Sequence, residues 1–581
     1  MNKYILGISC YFHDSAICLL KNGQIISAVQ EERFTGIKND SSFPYRSIEW
    51  CLKKNNITSS DLTYIVFYEK PLKKFLRVIN SSIDQFPASR KYFVSQMRLW
   101  LSEKMWTKTN ISKRLNVDLK KIIFCQHHLS HASSVYYNSN LDDSTIMVSD
   151  GVGEDQSFSI WYGKKNLITP LYEIKYPHSL GLFYSTMTSY LGHNVNNGEN
   201  KVMSMSAYGN DGTYKNISKI IKLDKENIFK QNFKYFSYQH SINESYSKNL
   251  LKLLGEPRSS EDIFINDQGE LINSEARRFA NIAFGTQKIT EEIIKKKAEL
   301  AYNLYPSKNL CLSGGVHLNC LANFKALKDS KFENIYSNNY SSDSGAAVGA
   351  ALWAWKKQIS NQRTHIVQNI YSGPRYSSQQ VEETLKHFNY KFILFKDFNE
   401  LIDDATHELN DGKIIAWFQD GLEFGKRALG NRSILARPDK QNLSIKINTE
   451  IKKRELYQPF AASILSHKIN DFFYRIKKFD NSYKFMNVVA EARLEKINQL
   501  AGVVHVDKTS RIQAVNKEDN ELFFNLIQSF YSKTNIPAIL NTSFNLKGET
   551  IVDNPVKAIS TFLRSKCDFL YLGKFKINND L

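Results

Sequence analysis

The sequence predicts an α/β protein of two domains, and three observations carry that prediction. The first is a β-meander at the N-terminus. The second is a series of strand–loop–helix units whose loops hold glycines and acids. The third is length, because 581 residues exceed what one hydrophobic core organises.

In order, Tyr4 to Ile8 is an apolar strand, Cys10 to Ser15 a polar loop, and Ala16 to Leu20 a second strand. Lys21-Asn22-Gly23-Gln24 is a hairpin turn, and Ile25 to Val29 completes the meander before Glu31-Glu32-Arg33-Phe34. Actin-like ATPase folds open in this way, with the polar loop close to a phosphate; His13 and Asp14 lie in that loop. Residues from about 70 to 118, rich in aromatics and Lys/Arg, read as helices inserted between core elements.

His127 and His131 stand four apart just after an apolar run. On a helix that spacing puts both rings on one face, close enough for one metal ion. About twenty residues on, the strand Met147-Val148-Ser149 runs into Asp150-Gly151-Val152-Gly153-Glu154, a turn suited to a phosphate or a metal-bound phosphate. A histidine pair by itself is more simply a satisfied structural pair. Beside the Asp-Gly turn, it points to a metal–nucleotide site.

Two further units follow. Leu310-Cys311-Leu312 is a strand that meets Ser313-Gly314-Gly315, and a helix-like segment runs from Leu318 to Leu327. The glycines allow close backbone approach and leave helix N–H groups for a ligand. Asp343 opens a helix of very small residues, as a plain N-cap or as a carboxylate held at a site. A turn-rich linker at Tyr371-Ser372-Gly373-Pro374 starts the second region. There Lys413 to Phe418 and Ala538 to Asn541 read as strands, and Asn554-Pro555 starts a helix.

Four clusters in that region are dense in oxyanion-binding groups: Glu423 to Ser433 with Arg427 and Arg432, Lys452 to Glu455 with Arg454, His505 to Gln513 with Arg511, and Asn541-Thr542-Ser543-Phe544-Asn545. Any one of them could be a solvated loop. Together they indicate a polyanion pocket.

The formal charge of +19 is spread along the chain rather than gathered in a basic tail, so nucleic acid is not expected as the main partner. Lys295-Lys296-Lys297 reads as a solvated helix face. Seven scattered cysteines, none in Cys-x-x-Cys spacing, indicate neither disulfides nor a thiolate zinc site; Cys10, Cys311 and Cys320 read as small buried hydrophobes. No run approaches the ~20 apolar residues of a membrane span, and the N-terminus lacks the pattern of a signal peptide. No membrane partner and a cytoplasmic location are therefore expected.

These strings resemble the NodU/CmcH family of O-carbamoyltransferases over essentially the whole chain. The resemblance rests on Gly7-Ile8-Ser9 with His13-Asp14-Ser15-Ala16, Gln30 to Phe34, His127 to Ala132, Asp150 to Glu154, Pro177 to Ser185, Ser313-Gly314-Gly315, Asp343 and the four C-terminal clusters. It implies an N-terminal actin-like (TsaD-like) carbamoyl-transfer domain over residues 1–369, with the 70–118 insertion, and a C-terminal YrdC-like domain over residues 370–581 that forms carbamoyl-adenylate. It further implies His127, His131, Asp150 and Asp343 as ligands of a divalent metal, Fe²⁺ or else Mg²⁺. Gly151, Gly153, Ser313, Gly314, Gly315 and Asn319 would bind the nucleotide, and His13 with Asp14 would be catalytic. Arg427, Arg432, Lys452, Arg454, Arg511, Asn541, Ser543 and Asn545 would hold the phosphates of ATP and carbamoyl phosphate. The implied partner is a small hydroxyl acceptor: a sugar, an antibiotic, a toxin or a polysaccharide precursor. The insertion would serve substrate binding or a homodimer.

Departures from the family pattern are Asn39, the Ser204-Met205-Ser206 stretch, His317 and Lys426. Because of them the acceptor is not carried over from any relative. Two other readings are a tRNA-modifying transferase and a nucleotide-gated regulatory protein.

Overall fold

The computed structural model describes residues 2–360, 365–367 and 369–579. The predicted meander forms β1 (Tyr4–Ser9), β2 (Ala16–Lys21) and β3 (Gln24–Gln30). Asn22 and Gly23 both have positive φ, at 51° and 83°, the two-residue turn whose twist suits a tight hairpin. β4 (Leu62–Phe67) and β5 (Ile122–Phe124) add parallel strands, giving the order β3-β2-β1-β4-β5.

A second sheet repeats this plan. β6 (Asp143–Ser149), β7 (Gln156–Lys164) and β8 (Leu167–Lys175) form an antiparallel meander. After a small hairpin of β9 (Ile221–Asp224) and β10 (Ile228–Gln231), the strands β11 (Asn309–Ser313) and β12 (Asn334–Tyr336) pair in parallel beside β6. The order β8-β7-β6-β11-β12 matches β3-β2-β1-β4-β5 strand for strand. This internal duplication, which the sequence does not display as a repeat, appears only in the strand order of the two sheets.

Corresponding elements supply corresponding site pieces. β5 leads into the helix His127–Ser139, and β12 is followed by the helix Asp343–Gln358. The two helices pack closely, with Gly349 against the backbone of Ser130. A Cβ at 349 would lie 1.7 Å from the Ser130 carbonyl oxygen, so only glycine allows the approach. Between β4 and β5 the insertion forms helices at Pro71–Asp84, Arg90–Ser102 and Thr107–Leu115.

The C-terminal region is a ten-stranded mixed sheet. Its centre holds Ile415–Phe418, Arg432–Ala436, Ala538–Ser543, Ala461–Leu465 and Thr509–Val515 in that lateral order. The apolar core does not break at the linker. One cluster runs from Met147 on β6 through Ile335 and on into the C-terminal sheet, while Ile146 and Val148, on the other face of β6, belong to a second cluster with β1 to β5. Polar ties cross the same seam: Arg33 donates to the Gly425 carbonyl at 2.7 Å, and Asn487 to the Asn338 carbonyl at 2.9 Å. All seven cysteines are free and buried. Among the described residues no helix is long and apolar enough to cross a membrane.

Candidate active site

Three elements from the two duplicated halves meet at four side chains. The helix at His127 starts where Glu154 fixes it, since Glu154 Oε1 accepts from the backbone N–H of His127 at 3.2 Å and of Lys70 at 2.6 Å. One turn along that helix brings the His127 and His131 rings to 4.8 Å between centroids. Asp150 follows β6, and Asp343 is the first residue of its helix, with Ser342 as N-cap. One ligand atom from each of His127, His131, Asp150 and Asp343 lies within 4.8 Å of all the others. His127 Nε2 is 3.1 Å from Asp150, and His131 Nε2 is 3.4 Å from Asp343 and 3.5 Å from Asp150.

The set fits a divalent cation. Two imidazole nitrogens and two carboxylate oxygens suit iron, zinc or a similar ion, and His131 Nε2 is buried with no hydrogen bond of its own. Burial pulls the His131 pKa down, but Asp150 and then Asp343 outweigh it and push it up to about 9. Burial likewise favours protonated Asp150, yet His127 and His131 hold its carboxyl well below the usual range. A bound ion would take the place of that shared proton.

The turns of the second half lie against this quartet. Ser313 Oγ is 3.3 Å from His131 Nδ1 and orients the ring. Gly314 sits at φ 96°, where a Cβ would meet the Ser149 carbonyl oxygen at 2.3 Å. A Cβ on Gly315 would come 3.0 Å from Asp150 Oδ1, and one on Gly153 would clash with the His127 ring at 2.7 Å. The Gly151 N–H donates to Asp150 Oδ1 at 2.8 Å. Asn319 is engaged elsewhere: it caps the helix Cys320–Leu327 through the Ala322 N–H and exchanges hydrogen bonds with Gln287.

His13 borders the quartet from the first half, with Nε2 3.6 Å from Asp343 and Nδ1 3.4 Å from Asp14. Its loop is conformationally costly, with Tyr11 at φ 74° and Asp14 at φ 55°, both non-glycine residues in the left-handed region. Burial lowers the His13 pKa, but Asp343 and then Asp14 reverse that and raise it. Asp14 is buried, which would raise its carboxyl; the Lys426 ammonium 2.8 Å away, then His13, hold it well below the ordinary range.

Lys426 belongs to the C-terminal region and lines a cavity there. The same cavity is walled by Asn200, Ser204, Arg427, Arg454, Gln458, Phe460, Arg511, Asn541 and Ser543. Strand register places Asn541, Ala461 and Arg511 in one lateral row across its floor. Arg427 is pushed down to about 9 by burial and then by the Arg511 charge, and Arg454 to about 10, chiefly by burial. Arg427 Nε, one terminal nitrogen of Arg454 and Asn541 Oδ1 are buried without hydrogen-bond partners. Buried cations with idle donors are what an anion satisfies. A neighbouring cavity, bounded by Cys320, His505, Asp507 and Thr509, shares Ser204, Pro459, Phe460 and Arg511 with the first.

Three of the predicted phosphate ligands do not line this cavity. Arg432 is fully buried, with its guanidinium on the Phe418 ring at 3.6 Å and its N–H groups on the carbonyls of Gln419, Asn431, Pro374 and Asp420. Its role there is to hold the loop. Lys452 donates to the Ser543 carbonyl and, at 2.8 Å, to Asn545 Oδ1, while Asn545 also takes the Ser543 hydroxyl at 2.6 Å. This triad braces the Ser543 turn from behind.

A fourth correction concerns Lys297, which is buried rather than on a solvated face. Its Nζ bonds Ser149 Oγ at 2.8 Å, sits 4.2 Å over the Phe158 ring, and is lowered to about 7 by burial. It supports the end of β6 just before Asp150. Glu154, Lys426 and Lys297, with the cavity residues Asn200, Ser204, Gln458 and Phe460, are thus site residues not assigned roles from sequence. Glu154 stands inside the quoted Asp-Gly-x-Gly string and Lys426 abuts Arg427, but nothing in the sequence separates Lys297 from Lys295 and Lys296.

Comparison with known proteins resolves the family. Residues 4–352 match the profile described as Carbamoyltransferase N-terminus, and residues 406–579 match Carbamoyltransferase C-terminus. The chain belongs to the NodU/CmcH carbamoyltransferase family. Among its relatives, Nodulation protein NolNO of Sinorhizobium fredii is 32% identical over 98% of this chain and 79% of its own length. An uncharacterized protein of Synechocystis sp. is 36% identical over 98% of this chain and 96% of its own. The 3'-hydroxymethylcephem-O-carbamoyltransferase of Amycolatopsis lactamdurans is 28% identical over 46% of this chain and 48% of its own. Solved structures give weak likenesses only: HypF in its phosphate- and nucleotide-bound form has a TM-score of 0.31 at 16% identity, covering 61% of this chain and 56% of its own. Membership makes this chain an enzyme of the carbamoyltransferase class.

Proposed function

We propose that this carbamoyltransferase is an ATP-dependent O-carbamoyltransferase with two chemical sites. In the C-terminal, YrdC-like domain, carbamoyl phosphate is hydrolysed to carbamate and phosphate. A carbamate oxygen then attacks the α-phosphorus of ATP, and pyrophosphate leaves. Arg427, Arg454 and Arg511 neutralise these anions in the cavity.

In the N-terminal domain an acceptor hydroxyl attacks the carbamoyl carbon of the adenylate, the C–O bond to phosphate breaks, and AMP leaves. His13 takes the hydroxyl proton, and Asp14 holds the other side of its ring. His127, His131, Asp150 and Asp343 would hold the divalent metal, Fe²⁺ or Mg²⁺. When bound, that ion supplies Lewis-acid stabilisation to the leaving phosphate. Gly151, Gly153 and the Ser313-Gly314-Gly315 loop let the adenylate come close. The acceptor is a hydroxyl of a sugar or specialised metabolite.

One observation carries this reading: the link Lys426–Asp14–His13–Asp343, whose contacts of 2.8, 3.4 and 3.6 Å join the cationic cavity to the quartet. Two sites so joined suit a reaction in which one makes what the other uses. The test is carbamoyl-phosphate-dependent conversion of ATP to AMP and pyrophosphate by the purified chain, with and without Fe²⁺ or Mg²⁺. Dependence on carbamoyl phosphate is the expected result. Folded protein that binds ATP yet releases no pyrophosphate with carbamoyl phosphate under any metal would refute the proposal.

A further inference from the structure

The insertion between β4 and β5 has one face fixed and one face bare. On the inner side, Lys73 pairs with Asp155 at 2.7 Å, Arg77 donates to the Gly153 carbonyl at 3.3 Å, and Lys74 lies 4.9 Å over the Phe12 ring beside His13. The hairpin of helices Pro71–Asp84 and Arg90–Ser102 is thus anchored at the rim of the N-terminal site. On the outer side Leu72, Leu76 and Ile83 form a stripe at helical spacing, Phe86 follows in the turn, and Val94 and Leu101 stand two turns apart on the second helix. These six side chains are 56% to 73% exposed.

Charge identifies what covers this face. Residues 70–118 hold 11 Lys/Arg and 3 Asp/Glu, so 11 − 3 = +8 of the chain's +19 falls within this insertion. Exposed Arg90, Lys91 and Arg98 lie among the apolar residues of the second helix and pair with no carboxylate among the described residues. A second copy meeting the first through this face would bring like charges together, which disfavours self-association. A surface both apolar and basic complements one that is apolar beneath and anionic above. We propose that the outer face of this hairpin docks on an anionic membrane surface, with Leu72, Leu76, Ile83, Phe86, Val94 and Leu101 entering the headgroup layer. Docking of this kind needs no spanning helix. It brings the rim beside His13 to the lipid surface, where an amphiphilic hydroxyl acceptor would be presented; that consequence rests on the function proposed above, whereas the docking does not.

The experiment is co-sedimentation of the full chain with vesicles of phosphatidylcholine, with and without phosphatidylglycerol. Each Lys or Arg at an anionic surface strengthens binding about fivefold, so the double charge reversal K91E/R98E should weaken it more than about 25-fold. The triple substitution L76S/I83S/L101S, at exposed positions that leave the core intact, should abolish sedimentation while ATP-to-AMP conversion stays unchanged. Binding only to phosphatidylglycerol vesicles, lost in both variants and in high salt, is the expected result. The proposal is overturned if the wild type ignores both vesicles, or if the variants sediment as well as the wild type. A concentration-dependent dimer that the serine substitutions render monomeric would assign the face to a second copy instead. Because AMP formation is read separately, failure of docking and failure of the catalytic proposal are distinguishable.

Discussion

The quartet and the cationic cavity solve the problem of buried charge in opposite ways. In the quartet, two carboxylates and two imidazoles face one another within 4.8 Å, and the Asp150 carboxyl is held well below its usual range by His127 and His131 against the effect of burial. In the cavity, Arg427, Arg454 and Arg511 crowd together, and burial with mutual repulsion lowers the basicity of Arg427 to about 9 and of Arg454 to about 10. The first sets acid against imidazole in a donor set suited to a cation. The second is a built-in excess of positive charge that an anion would relieve. One chain therefore keeps a carboxylate–imidazole cluster and an arginine cavity linked through Lys426, Asp14 and His13, with Lys426 and Asp14 paired at the boundary.

The strongest way to separate the two sites is Arg427→Met. It should lower carbamoyl-phosphate-dependent pyrophosphate release about 10²–10³-fold, as loss of one preorganised donor does, while metal binding is retained; a pyrophosphate-release assay and metal titration check both. The complementary change, His131→Gln, should weaken metal affinity and carbamoyl transfer by at least about 100-fold, since even outer-shell changes reach that level, with carbamoyl-phosphate-dependent pyrophosphate release intact. Chelation of the wild type should mimic His131→Gln and not Arg427→Met.

Lys297 sharpens the comparison, being a buried cation near the quartet with no anion beside it. Unfolded, its amine keeps a proton up to pH ~10.5; folded, it loses that proton at about 7. Between those values the unfolded state binds more protons, so stability rises with pH; below 7 both states are protonated and the slope vanishes. From pH 7 to 9 the wild type should gain about 3 kcal/mol relative to Lys297→Met, read from unfolding midpoints in urea. The smallest effect is expected at the boundary itself. Lys426→Met should move the acid limb of the transfer rate upward by about 1–3 pH units, because Asp14 would then feel burial without its main counter-charge.

Much of the quartet was legible in the sequence. The four-residue histidine spacing and the Asp-Gly-x-Gly turn depend on local geometry, and local geometry survives in a linear string. Asp343 was harder, since the same residue serves as an ordinary helix start; only the packing of its helix on the histidine helix aims the carboxylate. The cavity was legible as a composition and not as a list. Arg427, Arg454 and Arg511 reach the space, whereas Arg432 turns to four backbone carbonyls and Lys452 braces a turn. Arginine near glycine looks alike in both settings, and the pleat and register of the sheet decide which way it points.

By itself the sequence determined the β-meander, the strand–loop–helix units, the family and most of the side chains that gather in the quartet and the cavity, because periodicity, turn chemistry and short motifs are set by neighbours along the chain. Tertiary structure alone decided that the N-terminal region is built twice from one strand plan. It also decided that the apolar core runs on past the linker, that Lys297 is buried while Lys295 and Lys296 are not, and that Lys426 joins the two sites. Each of these depends on contacts between residues tens to hundreds of positions apart, and which cation is buried or paired follows from the closed packing of helices and sheets.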